Sequence, residues 1–180
     1  VSGGFLFTFG QYVPSWDSAY YPLMMSQNIS YREYLEAKWT LIVAATFVST
    51  IVSTFYLFFG WEAYAAVLAG AVYNMGVNAH LVLLSGAYIK TPIDLASNNK
   101  PFGDKQSFNV KTLMLSLPKL ALPMLVFALG HWLVGAWAGY VSVAFVGLLG
   151  YFLKDKVFHQ IERLYKSEKY STLNAYKQKT

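Results

Sequence analysis

The chain contains no cysteine, which excludes a disulfide framework, a thiolate metal site and a cysteine nucleophile. Charge is also scarce: 13% of the 180 residues are Asp, Glu, Lys or Arg, against about a quarter in a soluble domain. The histidines, His80, His131 and His159, show no HExxH or other ligand spacing, so no metal ion is expected. There is no GxxxxGKS/T phosphate loop and no GxSxG turn, and no paired carboxylates or histidine cluster falls within an apolar run. The sequence therefore offers no catalytic residue and implies no cofactor.

What fills the space is apolar. Hydrophobic residues make up 56% of the chain and aromatic residues 18%. A length of 180 residues accommodates about four to six membrane helices of roughly 20 apolar residues each. The expected fold is an all-α, polytopic transmembrane bundle of four spans plus a cytoplasmic amphipathic elbow helix. The spans are residues 39–61, 63–89, 112–129 and 132–153, each free of charge except the third, which carries Lys119. Trp39 and Trp61 stand at the ends of the first span, where interfacial rings are expected. Residues 1–12 read as the end of a preceding transmembrane helix, and a missing N-terminal portion is expected. Residues 154–180 form a polar, basic tail.

Orientation follows from the basic residues. Arg32 and Lys38 precede the first span, and Lys90, Lys100, Lys105 and Lys111 lie between the second and third. Lys154, Lys156, Arg163, Lys166, Lys169, Lys177 and Lys179 lie in the tail. The tight links at Gly60 and at Gly130-His131 carry no Lys or Arg. The positive-inside rule places the basic segments in the cytoplasm and both links outside. The net charge of +5 thus reflects membrane topology and not nucleic-acid binding.

Residues 13–38 are too polar to span. Trp16, Ala19, Tyr20, Leu23 and Met24 recur at helical spacing, which suits a short helix at the membrane interface, ended or kinked by Pro22. A second helix starts at Ser30-Tyr31-Arg32-Glu33, a capping box with Ile29 and Tyr34 as its hydrophobic staple, and runs into the first span.

Within the spans, Ala45, Ser49 and Ser53 form one stripe of small residues, and Gly135 with Gly139 forms a GxxxG that permits close helix packing or arises by chance. Asn74 and Asn78 lie one turn apart, suited to hydrogen bonds between helices or, less often, to a substrate path. His80 nearby reads as packed. Lys119 is a functional candidate by its depth, but its long stem favours snorkelling to the cytoplasmic end.

The run Gly10-Gln11-Tyr12-Val13-Pro14-Ser15-Trp16-Asp17-Ser18-Ala19-Tyr20-Tyr21, followed by Ser30 to Lys38 with its Tyr34-Leu35-Glu36-Ala37-Lys38 ending, resembles permease subunits of type-2 ABC exporters. It is most similar to the C-terminal portion of a poorly characterised bacterial branch. Ile93-Asp94-Leu95 and the tail from Arg163 to Tyr176 are also similar to that branch. The resemblance implies a multi-pass protein of the bacterial inner membrane, with both ends of this chain at the cytoplasmic face. It implies a homo- or heterodimer of permeases and a separate ABC ATPase subunit that touches the elbow. That contact falls on Tyr20, Tyr21, Pro22, Ser26, Ile29, Ser30, Tyr31 and Arg32. The break Ser26-Gln27-Asn28-Ile29 lacks the proline often found there in the family. The rival reading is a membrane scaffold or accessory subunit that transports nothing.

The topology is open to direct test. A single cysteine at position 98 (Asn98→Cys) is expected to stay unlabelled by an impermeant thiol reagent in intact cells. Labelling there overturns the orientation.

Overall fold

The computed structural model describes residues 6, 13–27, 29–90, 92 and 110–177, and every element among them is helical. Two short helices, α1 (Val13–Trp16) and α2 (Tyr21–Ser26), lead into α3 (Tyr31–Val52), which tightens to a 3-10 segment over Ser53–Phe59. The chain returns through α4 (Trp61–Tyr73), a π-helical turn (Asn74–Asn78) and α5 (Ala79–Tyr88). Then come α6 (Val110–Leu133), α7 (Ala136–Phe152) and α8 (Lys154–Lys177). The expected helix end at 1–12, apart from Leu6, lies outside the described residues. So do Asn28 of the break, the link at 93–109 with Ile93-Asp94-Leu95, Asn98, Lys100 and Lys105, and Lys179.

Tyr31–Phe59, Trp61–Tyr88 and Met114–Leu133 are long and apolar enough to cross a membrane, and α7 with α8, bent by 65°, makes a fourth if the pair counts as one crossing. α3 starts where Ser30 caps it: the Ser30 hydroxyl accepts from the Glu33 amide at 3.1 Å, an arrangement worth about 1 kcal/mol. Its outer side is apolar, with Leu41, Phe47, Val48, Ile51, Phe55 and Phe58 exposed, as lipid contact requires. Its hydroxyls bond backward along the helix. Thr46 donates to the Ile42 carbonyl at 2.8 Å, Thr50 to Thr46 and Ser53 to Ser49 at 2.7 Å. These three hydroxyls are thus satisfied without leaving the helix.

The returns sit at Gly60 (φ 119°) and Gly135 (φ 131°), a backbone region that favours glycine. The second return is therefore not at Gly130-His131, where the spacing of charge-free runs put it. Helix α6 continues to Leu133, and Gly130 lies within it. A β-carbon there would come within 2.7 Å of Ser142 Oγ and 2.8 Å of the Ala138 carbonyl, so Gly130 serves close packing of α6 on α7. Of the GxxxG pair, Gly135 makes the turn while Gly139 packs against Phe127 of α6. Trp39, expected as an interfacial ring, does not face outward from the helices. It is buried, 5.6 Å from the Tyr151 ring and 6.2 Å from His80, because α8 folds back over it.

Two cores result. One joins α4, α6 and α7 around Ala69, Tyr73 and Val143. The other joins α3, α5 and α8 at the basic end, around Leu35, Trp39, Ile42, Val82, Leu83, Phe158 and Ile161. The first depends on glycines. A β-carbon on Gly76 would lie 1.7 Å from the Gly147 carbonyl oxygen, and one on Gly147 would lie 2.7 Å from the Tyr73 backbone.

Backbone cannot swing aside as a side chain can, so Gly147→Ala is expected to cost about 1–3 kcal/mol or more in this crossing. Gly70→Ala, in the same helix as Tyr73 but with nothing within 4 Å of the new carbon, is expected to be neutral or slightly stabilising. Thermal unfolding of the two purified variants in detergent checks the contrast. Equal effects remove the role given to the glycine crossing.

Candidate functional site

The basic end is built from α1, α2 and the two ends of long helices they meet. Asp17 follows α1 and its carboxylate reaches α3 twice. The Tyr34 hydroxyl donates to Oδ2 at 2.7 Å, and Lys38 Nζ lies 2.7 Å from the same oxygen. The Tyr34 oxygen is also 3.2 Å from the Val13 carbonyl. Tyr21 and Tyr31 join their hydroxyls at 3.2 Å, and Tyr21 meets the Tyr176 ring edge-on at 5.5 Å. Burial first, and the Tyr31 hydroxyl second, push the Tyr21 phenol well above the ordinary tyrosine range, so it stays neutral at any physiological pH.

Helix α8 closes this layer. Phe158, Ile161, Tyr165, Thr172 and Tyr176 are buried along one side of it. The Tyr165 hydroxyl donates to the Leu83 carbonyl of α5 at 2.9 Å. Near its start, Asp155 accepts from Arg32, whose Nε bonds Glu36 at 2.9 Å, and Lys154 stands 4.1 Å above the Trp39 ring. Further along, Glu168 and Ser171 take Lys90 from the end of α5. The tail was expected only to be polar and basic. Its apolar positions at 158, 161, 165 and 176 recur at helical spacing, and that periodicity is the signal for a packed helix.

The residues expected to touch a partner divide by exposure. Tyr20, Pro22, Ser26, Ile29 and Ser30 are exposed. Tyr21 and Tyr31 are buried, Tyr21 to 1%, and hold α2 to α3, so neither is part of a free surface. Arg32 is half-buried and engaged with Glu36 and Asp155. Leu23, which belongs to the same amphipathic run, is 56% exposed beside Tyr20 at 65%.

The second candidate region lies at membrane depth, where the π-helical turn places Asn74, Asn78 and Lys119 together. Asn78 Nδ2 donates to Asn74 Oδ1 at 2.8 Å and lies 3.2 Å from the backbone carbonyl of Lys119 on α6. That carbonyl is free for a reason written in the sequence. Residue 123 is proline and has no N–H to bond the carbonyl four residues before it. Asn78 supplies the missing donor from another helix. The Lys119 side chain, expected to snorkel, is enclosed by protein: the residue is 1% exposed, and its Nζ has no hydrogen-bond partner among the described residues. His80 is buried with Nδ1 2.6 Å from the Gly76 carbonyl and its ring 5.5 Å from Phe158. Among the described residues no group of His, Asp or Glu is placed to hold a metal ion.

The role of Asn78 can be measured as a coupling. Asn78→Ala is expected to cost about 1–3 kcal/mol, the penalty of an unsatisfied buried carbonyl. The cost shrinks in a Pro123→Ala background, where residue 123 regains its N–H and takes the Lys119 carbonyl itself. Unfolding of the four proteins of this cycle in mixed micelles gives the coupling energy, and a value of zero overturns the assignment.

No curated protein and no solved structure matches the chain. The model of a family of unknown function, DUF5687, matches residues 1–179, taking in both the basic-end layer and the polar cluster at membrane depth, and the chain belongs to that family.

Proposed function

We propose that the protein is the membrane permease subunit of an ATP-driven exporter of the type-2 ABC kind, seated in the bacterial inner membrane. In this reading α7 is a fourth span, the basic end faces the cytoplasm, and α1 and α2 form an elbow on which a separate ATPase docks. Two permeases, alike or different, enclose the path. The observation that carries the proposal is the coupling of the elbow to α3. Its outer face offers Tyr20, Leu23 and Ile29 to a partner, while its inner side is tied by Asp17 to Tyr34 and Lys38 on α3. A push on the outer face has a short, bonded route into a helix long enough to cross the bilayer.

The docking part is tested by co-purification with the ABC ATPase encoded beside the permease. Exposed aromatic and aliphatic anchors dominate such contacts, and each loss of 1.4 kcal/mol weakens binding about tenfold. Replacing Tyr20 and Leu23 together by alanine is expected to reduce the recovered ATPase roughly tenfold or more, with membrane insertion unchanged. Full recovery with the double variant rules out this docking face. If the unaltered protein brings down no ATPase, the scaffold reading takes the place of the exporter.

A further inference from the structure

Lys119 is the residue of the polar cluster that packing does not explain. A leucine or methionine at this place would fill the same volume with no polar atom to satisfy. Instead an amine is enclosed to 1% exposure on a helix whose other sides are apolar, with Leu117, Leu120, Met124 and Leu125 all exposed around it. The position is roughly 13 Å along α6 from Val110 at 1.5 Å per residue, and Asn78 lies at a similar depth, roughly 15 Å from the Tyr88 end of α5.

Two atoms of this cluster lack partners among the described residues: Lys119 Nζ, a donor, and Asn78 Oδ1, an acceptor. The remaining valences there are used. Asn78 Nδ2 serves Asn74 and the Lys119 carbonyl, and that tie fixes the backbone of residue 119 against the π-helical turn. Such turns occur often at functional sites, since they open the helix and re-aim its side chains. An ammonium at membrane depth is tolerated where an anion neutralises it.

The geometry points to an anion-binding site at Lys119, made for the phosphate group of a lipid head or of a free anion. Lys119 Nζ supplies the charge-assisted bond. Asn78 Oδ1 accepts from a hydroxyl or N–H carried by the same ligand. The site goes beyond the exporter reading and does not depend on an ATPase, so it stands or falls by binding alone.

The test uses the purified full chain in nanodiscs and follows its apparent Tm. The arms are neutral phosphatidylcholine alone, phosphatidylcholine with phosphatidylglycerol, and phosphatidylcholine with inorganic phosphate at matched ionic strength. The protein is expected to gain roughly 5 °C or more when the probe saturates the site. A gain with phosphatidylglycerol assigns a lipid head group, and a gain with inorganic phosphate assigns a free anion. Lys119→Arg keeps the gain, and Lys119→Met loses it. Lys119→Gln, which keeps a polar end, also loses it and serves if the methionine variant does not fold. Native mass spectrometry of the same samples reads one bound anion fewer in Lys119→Gln. A gain of equal size in Lys119→Met or Lys119→Gln assigns the effect to the basic residues of α8 and overturns the proposal. So does the absence of a gain in both anion arms.

Discussion

Gly76 and Gly147 approach so closely that the carbonyl of one occupies the place a β-carbon would take on the other. Much of the membrane half of the molecule follows from that contact. Lipid gives no hydrophobic reward for bringing two apolar helices together, so association there rests on close van der Waals approach and on polar groups that find partners. Gly147 and Gly150 on α7 let the returning helix lie with its backbone against theirs. The π-helical turn includes Gly76 and lies at this crossing. Its extra residue per turn leaves Asn78 oriented toward α6, where it answers the carbonyl that Pro123 leaves open.

The basic end is held together by different physics. Large aromatic side chains from α2, α3 and α8 meet in one cluster, and the hydroxyls of Tyr21, Tyr31, Tyr34 and Tyr165 are bonded inside it. Ion pairs ring the cluster, and the most exposed of them, Arg32 with Asp155, belongs to a kind that contributes about 0–1 kcal/mol. Burial of Phe158, Ile161 and Leu35 against one another carries more, at about 1.5–3 kcal/mol for each large apolar side chain. The apolar stripe of α8 is the face that turns inward, and the ion pairs lie along its margins.

Much of this was legible in residue order. Charge-free runs bounded by glycine located the long helices, and Ser30 with Glu33 announced the start of α3. The return after α6 was misplaced because Gly130 and Gly135 look alike in a sequence. One packs tightly against α7 and the other takes positive φ, and only the three-dimensional neighbours separate those uses. The burial of Trp39 was hidden for the same reason: its ring neighbours His80, Tyr151 and Phe158 come from three later helices. Asn74, Asn78 and Lys119 were visible as polar groups at depth. That they meet depends on a proline four residues beyond the lysine, a link that becomes plain once α6 is seen to run through it unbroken.

Helix α8 leaves α7 at 65° and lies across the ends of α3 and α5. Its two charged attachments, Asp155 to Arg32 and Glu168 to Lys90, are thirteen residues apart, roughly 20 Å along a helix. It is therefore a cross-brace bolted at both ends. Relative sliding of the two long helices must shear one bolt or the other. Asp155–Arg32 is the more exposed of the two attachments and Lys90–Glu168 the more enclosed, so added salt loosens the first end of the brace more than the second, while the glycine crossing, made of backbone contacts, has no charge for salt to screen.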